Sequence, residues 1–533
     1  MSDNPPDQPR RNIGQRILLG LFCLALLAFF VVLALDMSDK GGLNRYERQW
    51  EAKGEHFDFA SFVPKPVPDG QNFALTPIVA SIYEKMLDKN GHTIDLRNTN
   101  IVNRLWMEIY VSQKLIDYST NMDFSDFTIG GNWATGTKAD LKAWQLYFRE
   151  LATKTNDFPV APQAQTPAAD VLLALSKYDA NIEELRQAAA LHYSRFPLNY
   201  DSKDPSLINL MHLGTLKQCS LILRLRAIAE LQNGQRDKAL ADVNLILRLI
   251  DSVRNEPFEI SHHERMTMMD LALQPVWEGL ADHRWTDAQL AELNQELAKL
   301  DFLADYELSM RGERAILMAD IEHLRHTRHF EFFLGSSRAP ESAKVALHLI
   351  PSSVFYSAEL MIARAHQEWI LPIVDARRHS VSPEAAQLAV TNINQERFHL
   401  SLNNKLAILL LGILECFEPD TIGSTAKSFA YGQSSVDMAR VACALERYRL
   451  AQGKYPETLD ALSPRFIQSV PHDVMGGQPL KYHRTDNGQF ALYSVGWNGT
   501  DDGDRVVVYG PTFYWFEDQD SDWAWTGQVI VSK

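Results

Sequence analysis

The chain has 533 residues, 46% of them hydrophobic and 22% charged, with 27 Gly and 24 Pro. This composition excludes a disordered, collagenous or low-complexity protein. A formal net charge of −15 without any long basic run argues against a nucleic-acid partner, and 4 Cys in so long a chain, none with CxxC spacing, exclude a disulfide scaffold.

The first element is the apolar stretch Ile17–Leu35 (ILLGLFCLALLAFFVVLAL), 19 residues without a charge. As helix it is about 28 Å long, which matches a hydrocarbon core of roughly 30 Å. Arg10, Arg11 and Arg16 precede it, and Asp36 and Asp39 follow. The positive-inside rule then predicts a single-pass protein of an inner (cytoplasmic) membrane, with residues 1–16 as a cytoplasmic tail and the bulk of the chain outside. A cleaved signal peptide would have a shorter apolar core and a small-residue cleavage site, which Leu33-Ala34-Leu35-Asp36 does not supply.

Residues 36–75 contain Pro64, Pro66, Pro68 and Asp69-Gly70 and are predicted to be an extended spacer, because proline removes donors and restricts its neighbours. From 76 to 430 the period is helical. One stripe is Leu216, Cys219, Leu223, Ala227 and Leu231; another is Leu240, Val243, Leu247 and Ile250; a third is Leu290, Leu293, Leu297 and Leu300. Helix starts are predicted at Ser206, at Thr286-Asp287 and at Ser382-Pro383-Glu384. Leu406–Leu414 is a nine-residue apolar run, too short to span a bilayer and read as a buried helix. Ala227–Leu249 resembles the turn and second helix of a tetratricopeptide unit, with Gly234 at the turn and Ala239 at the close-packing position; no second copy follows at 34-residue spacing. An αα-hairpin with a Gly turn accounts for the same residues.

The pattern changes after about residue 430. Val436, Ala439, Val441, Ala442, Leu445 and Tyr448 belong to one helix stopped by Gly453; Leu480–His483 and Phe490–Val495 read as strands joined through Asp486-Asn487-Gly488. The order ALERYRLAQGKYPETLDAL, VPHDVMGGQPLKYH, GQFALYSVGWNGTDDGD resembles the globular domain of the major pseudopilins of type II secretion over about 70 residues, 435–504. The resemblance implies a small α+β module (431–533 with its aromatic tail) and a calcium-binding loop that would use Ser494, Asp501, Asp502 and Asp504. Calcium requires about 6–8 oxygen ligands, which such a loop can furnish. The anchor, however, lacks the peptidase site of a pseudopilin and contains no Glu, and some 400 residues separate it from the module. The whole chain also resembles uncharacterised membrane-anchored bacterial proteins that carry this module. Strands are predicted in the tail at Val506–Tyr509 and Gln528–Val531, with its aromatic residues packed onto the body rather than forming a binding surface.

The search for chemistry yields little. His323, His326 and His329 lie in EHLRHTRHFE between Glu322 and Glu331, with Arg325 and Arg328 interleaved, which suits a solvated helix face better than a metal. His262-His263-Glu264 reads as a cap. Gly312 is a helix-interior glycine suited to close packing. Cys416 and Cys443 are a candidate disulfide pair, with free buried thiols as the simpler alternative. The reading is thus a mainly α envelope protein with one transmembrane helix, a helical body and a small α+β module, acting without catalysis as a scaffold that docks a protein partner. The alternatives are a hydrolase with a site drawn from distant helices, for which Glu322, His323 and His326 are the candidates, and an atypical secretion-pilus component.

Overall fold

The computed structural model describes residues 13–82, 104–105, 107, 127–154, 156–327, 350–399, 419–486, 488–501, 503 and 522–526. The helices used below are α1 (Ile13–Glu51), α2 (Pro77–Ala80), α3 (Leu141–Ala152), α4 (Pro167–Leu175), α5 (Asp179–Ala188), α6 (Met211–Gln232), α7 (Arg236–Ser252), α8 (Glu259–Ala281), α9 (Asp287–Leu297), α10 (Phe302–Thr327), α11 (Ser352–Arg364), α12 (Pro383–His399) and α13 (Pro419–Gln452). The strands are β1 (Val374–Asp375), β2 (Ser380–Val381), β3 (Lys481–Arg484), β4 (Phe490–Ser494) and β5 (Trp523–Thr526).

The predicted stripes form the core. Leu216, Cys219, Leu223, Val243, Ile250, Leu290 and Leu293 are all buried, so α6, α7 and α9 bury the faces their periodicity marks, and α6 packs against α7 and α8. The tight turn between α6 and α7 has Gly234 at φ +75°, a left-handed backbone that favours glycine. The stretch with the repeat resemblance is therefore a helical hairpin. Thr286 starts α9 with a reciprocal capping box to Gln289, and Ser382 caps α12 by accepting the Ala385 N–H. The start predicted at Ser206 is a single 3-10 turn, Pro205–Leu207; the helix begins at Met211.

α1 is the one helix among the described residues long and apolar enough to cross a membrane. Its apolar half is bare, with Leu18 74% and Phe22 60% exposed, so it is not a core helix of the body. The helix does not stop at Leu35. Residues 36–51, expected to be extended, continue it and lie along α11: Leu43 is buried, Ser357 donates to Asp39, and Asp36 accepts the Ser353 N–H at the first turn of α11. The charges and the Gly41-Gly42 pair interrupt the apolar pattern without breaking the helix. The rest of the expected spacer is a strap bound to the body. Phe57, Phe59 and Phe73 are buried, Arg195 Nε donates to the Pro64 carbonyl, and Glu55 pairs with Arg311 and Arg314. Proline did rule out a long helix here, but the aromatic residues between the prolines attach the segment to the body.

The boundary expected at 430/431 falls inside α13, which runs 34 residues without interruption. Its small residues are contact residues. At Gly432 a Cβ would stand 3.0 Å from Met266 Sδ, which lets α13 approach α8 closely. β3, β4 and β5 form an antiparallel sheet, with Tyr482 opposite Leu492 and Leu492 opposite Trp525. The β3–β4 hairpin follows the predicted strands closely. β5 brings Trp523 and Trp525 into the body, where Trp525 meets Trp133 at 5.1 Å and Trp523 meets Tyr431 edge to face. The described aromatic residues of the tail are thus core. The tail strands expected at 506–509 and 528–531 and the helix expected at 406–414 lie outside the described residues. The fold shown is mainly helical with small sheets.

Candidate functional site

Gly312 is where α10 meets the segment leading into α8. A Cβ there would stand 1.8 Å from the Pro257 carbonyl oxygen, so no other residue fits without displacing backbone. The contact places the next residue, Glu313, over the start of α8, where its Oε1 accepts the Glu259 N–H at 3.0 Å. One turn into α8, His263 Nε2 donates to Glu259 Oε1 at 3.1 Å, and from α13 Thr425 Oγ1 donates to the same carboxylate at 2.9 Å. Phe429, also on α13, lies edge to face against His263.

These groups stand at one side of a cleft of about 1100 Å³ between α8, α10, α12 and α13. Its α13 wall carries hydroxyls at Thr421, Ser424, Thr425 and Ser428, a spacing that keeps them on one face. The lining also includes the apolar Ile208, Ile316, Val390 and Trp497, with Gln387 and Thr391 beside Val390 on α12. The two carboxyl groups differ in proton affinity. Burial, reinforced by the Glu259 charge, pushes Glu313 up to about 8. Burial acts on Glu259 in the same direction, but the hydrogen bonds from His263 and Thr425 and the His263 charge outweigh it and hold that carboxyl below its ordinary value. Near neutrality Glu313 therefore keeps its proton while Glu259 is ionised, the split that general acid–base chemistry uses. Thr425 donates to Glu259, the ionised member of the pair.

The residues singled out by the sequence lie elsewhere. Ser494 is buried: its hydroxyl donates to Asp473 Oδ1 at 2.8 Å and accepts the Gly496 N–H. Asp473 also accepts the N–H groups of Met475 and Val495, so Ser494 belongs to a satisfied turn network. Asp501 is at the surface, where Lys481 Nζ lies 3.0 Å from its Oδ2 and Tyr493 donates to its Oδ1. Asp502 and Asp504 lie outside the described residues. The two described members thus have protein partners; no group of three or more His, Cys, Asp or Glu placed to hold a metal ion occurs among the described residues. His326 is an exposed partner of Glu322, which Arg325 also holds; His329 and Glu331 lie outside the described residues. Cys219 and Cys443 are buried free thiols, and burial pushes the Cys443 thiol up to about 12; Cys416, the partner expected for Cys443, lies outside the described residues.

No family model, curated protein or solved structure matches the chain. The function must therefore be read from the geometry. Sequence reading missed the cleft, although the Glu259–His263 spacing of four was a usable signal; Glu313 could be joined to them only through the contact at Gly312.

Proposed function

We propose that the protein is a single-pass bacterial envelope protein of the docking class, with its N-terminal tail in the cytoplasm and its body outside. The body holds a protein partner in the cleft between α8, α10, α12 and α13. The observation that carries this reading is the continuity of α1, which passes from a bare apolar half into buried contacts with α11 without a break. Such a helix fixes both the height and the facing of the body relative to a bilayer, which suits a protein that presents a site rather than one that diffuses to a substrate. The mixed lining, hydroxyls along α13 and apolar side chains from the other elements, suits a peptide segment that needs both backbone hydrogen bonding and side-chain burial.

The hydrolase alternative rests on the split between Glu313 and Glu259. It is the weaker reading, because, of the candidates named for it, Glu322 and His326 pair with each other at the surface. A calcium loop and assembly into a secretion pilus draw no support from the described residues and are left out. The test uses the full-length chain in bacterial cells. It is expected to stay with the membrane pellet on alkaline extraction, and protease added to spheroplasts is expected to remove the body while sparing the tail. Full-length chain in the soluble fraction, or a body protected from that protease, would overturn the reading.

A further inference from the structure

A second cavity lies where α1 leaves its apolar half. It has a volume of about 350 Å³ and is bounded by α1, α11, the segment after α11 and α12. It exists because the helices meet there through small residues, Ser38 and Gly42 on α1 and Ser357 on α11. Ser38 stands three residues beyond Leu35 and Arg45 ten, about 5 and 15 Å along the axis. A headgroup layer adds roughly 5–8 Å on each side of the hydrocarbon core. The Ser38–Asp39 end of the cavity therefore lies at headgroup depth on the membrane reading above, on which this inference rests; Arg45 is anchored beyond that layer, and a helical side chain leans toward the N-terminus, back to it.

Its charges are balanced: Arg45 and Arg364 against Asp39 and Glu396. Arg364 Nη2 is 3.5 Å from Glu396, its Nε is 3.6 Å from Glu368, and its guanidinium lies over the Trp369 ring. Asp39 accepts from Ser357 at 3.2 Å. Arg45 is exposed and has no carboxylate within ion-pair distance among the described residues. An anion site would carry excess positive charge, and a cation site excess negative charge. A neutral site with two guanidiniums and two carboxylates complements a ligand bearing one of each sign. Guanidinium forks suit a phosphodiester, while carboxylates suit an ammonium that still has N–H donors.

We propose that this cavity binds the headgroup of a zwitterionic phospholipid with a primary ammonium, its phosphodiester at Arg45 and Arg364 and its ammonium at Asp39 and Glu396. A quaternary ammonium lacks the donors and is disfavoured; an anionic headgroup leaves the carboxylates unanswered.

The test reconstitutes the full chain in nanodiscs containing equal parts phosphatidylethanolamine, phosphatidylcholine and phosphatidylglycerol, and counts retained lipids by native mass spectrometry. Phosphatidylethanolamine is expected to be retained about tenfold over phosphatidylcholine, the worth of one charge-assisted hydrogen bond at a partly exposed site. Gly42→Leu fills the cavity without touching a charge, and the position has room, since a Cβ there would meet only Leu360, at 3.9 Å. It is expected to abolish the preference. Glu396→Gln is expected to reduce it while sparing the overall lipid count. Equal retention of the three lipids, preference for phosphatidylglycerol, or a preference unchanged by Gly42→Leu would overturn the inference while leaving the anchor intact. A chain that fails to enter the nanodisc would instead overturn the anchor reading beneath it.

Discussion

His262 and His263 occupy successive positions of α8, about 100° apart around its axis, and the two environments can be compared directly. His262 faces inward. Its Nε2–H donates to the Glu256 carbonyl at 2.8 Å, and burial, with the Arg265 charge beside it, pulls it down to about 3, so it is a neutral ring. Around it Arg265 pairs with Asp305 and donates to the Ile250 carbonyl, and Glu256 accepts from His212 and Ser261. Arg265 is 2% exposed, and this side is closed to solvent. His263 faces the cleft, bound to a carboxylate that also takes a hydroxyl from α13, with the protonated Glu313 across from it. Both groups are polar, but the inner one is closed and serves to fix α8 to α7 and α10, whereas the outer one is left facing space. Burial and hydrogen bonding alone do not mark function; the difference is whether the satisfied network borders a cavity.

Three substitutions bear on this contrast. The largest effect is expected at Arg265→Ala, which leaves Asp305 charged and buried and should cost about 3–5 kcal/mol, read as a lowered urea midpoint; a loss below 1 kcal/mol would mean that the inner network is not closed. Next is Gly312→Ala. The added methyl meets the Pro257 carbonyl, and forcing α10 away from α8 should cost about 2–3 kcal/mol and separate Glu313 from the Glu259 N–H. A variant as stable as the parent would remove the physical basis for the cleft geometry. The smallest is Glu313→Gln, which keeps an acceptor for the Glu259 N–H and should change stability at pH 5 by under about 0.5 kcal/mol. Its effect lies in the pH dependence. Glu313 is raised from an ordinary 4.5 to about 8, so its contribution is full below 4.5 and is lost as the pH rises toward 8. Chemical denaturation from pH 4 to 9 should show that loss in the parent and a flatter profile in the variant; identical profiles would place Glu313 in contact with water.

Much of the fold was legible because it follows from local patterns: the stripes of α6, α7 and α9, the helix start at Thr286, the β3–β4 hairpin and the apolar half of α1. Two departures concern helix length: residues 36–51 continue α1 through Gly41-Gly42, and α13 runs on through Gly432, where the missing Cβ lets Met266 of α8 approach. The strap at 56–75 looked like a linker since its phenylalanines are isolated in sequence, and isolated aromatic residues show no period. The cleft was illegible for a different reason. Glu259 and Glu313 are 54 residues apart, and what joins them is one missing Cβ, a feature of packing that no linear pattern records.

The pairing of Trp525 with Trp133 has a consequence for synthesis. The indole centroids lie 5.1 Å apart with the rings tilted, and the strand that carries Trp523 and Trp525 forms the outer rail of the only three-stranded sheet among the described residues. Residues from near the start of the body therefore wait for residues made almost 400 positions later, and closing so long a loop is slow. The ribosome must deliver residue 525 before Trp133, which also donates to Asp270 and stacks on Tyr431, acquires this neighbour. Until then an apolar notch stays open beside the growing chain, and a cell making this protein must shield it for the length of one translation cycle.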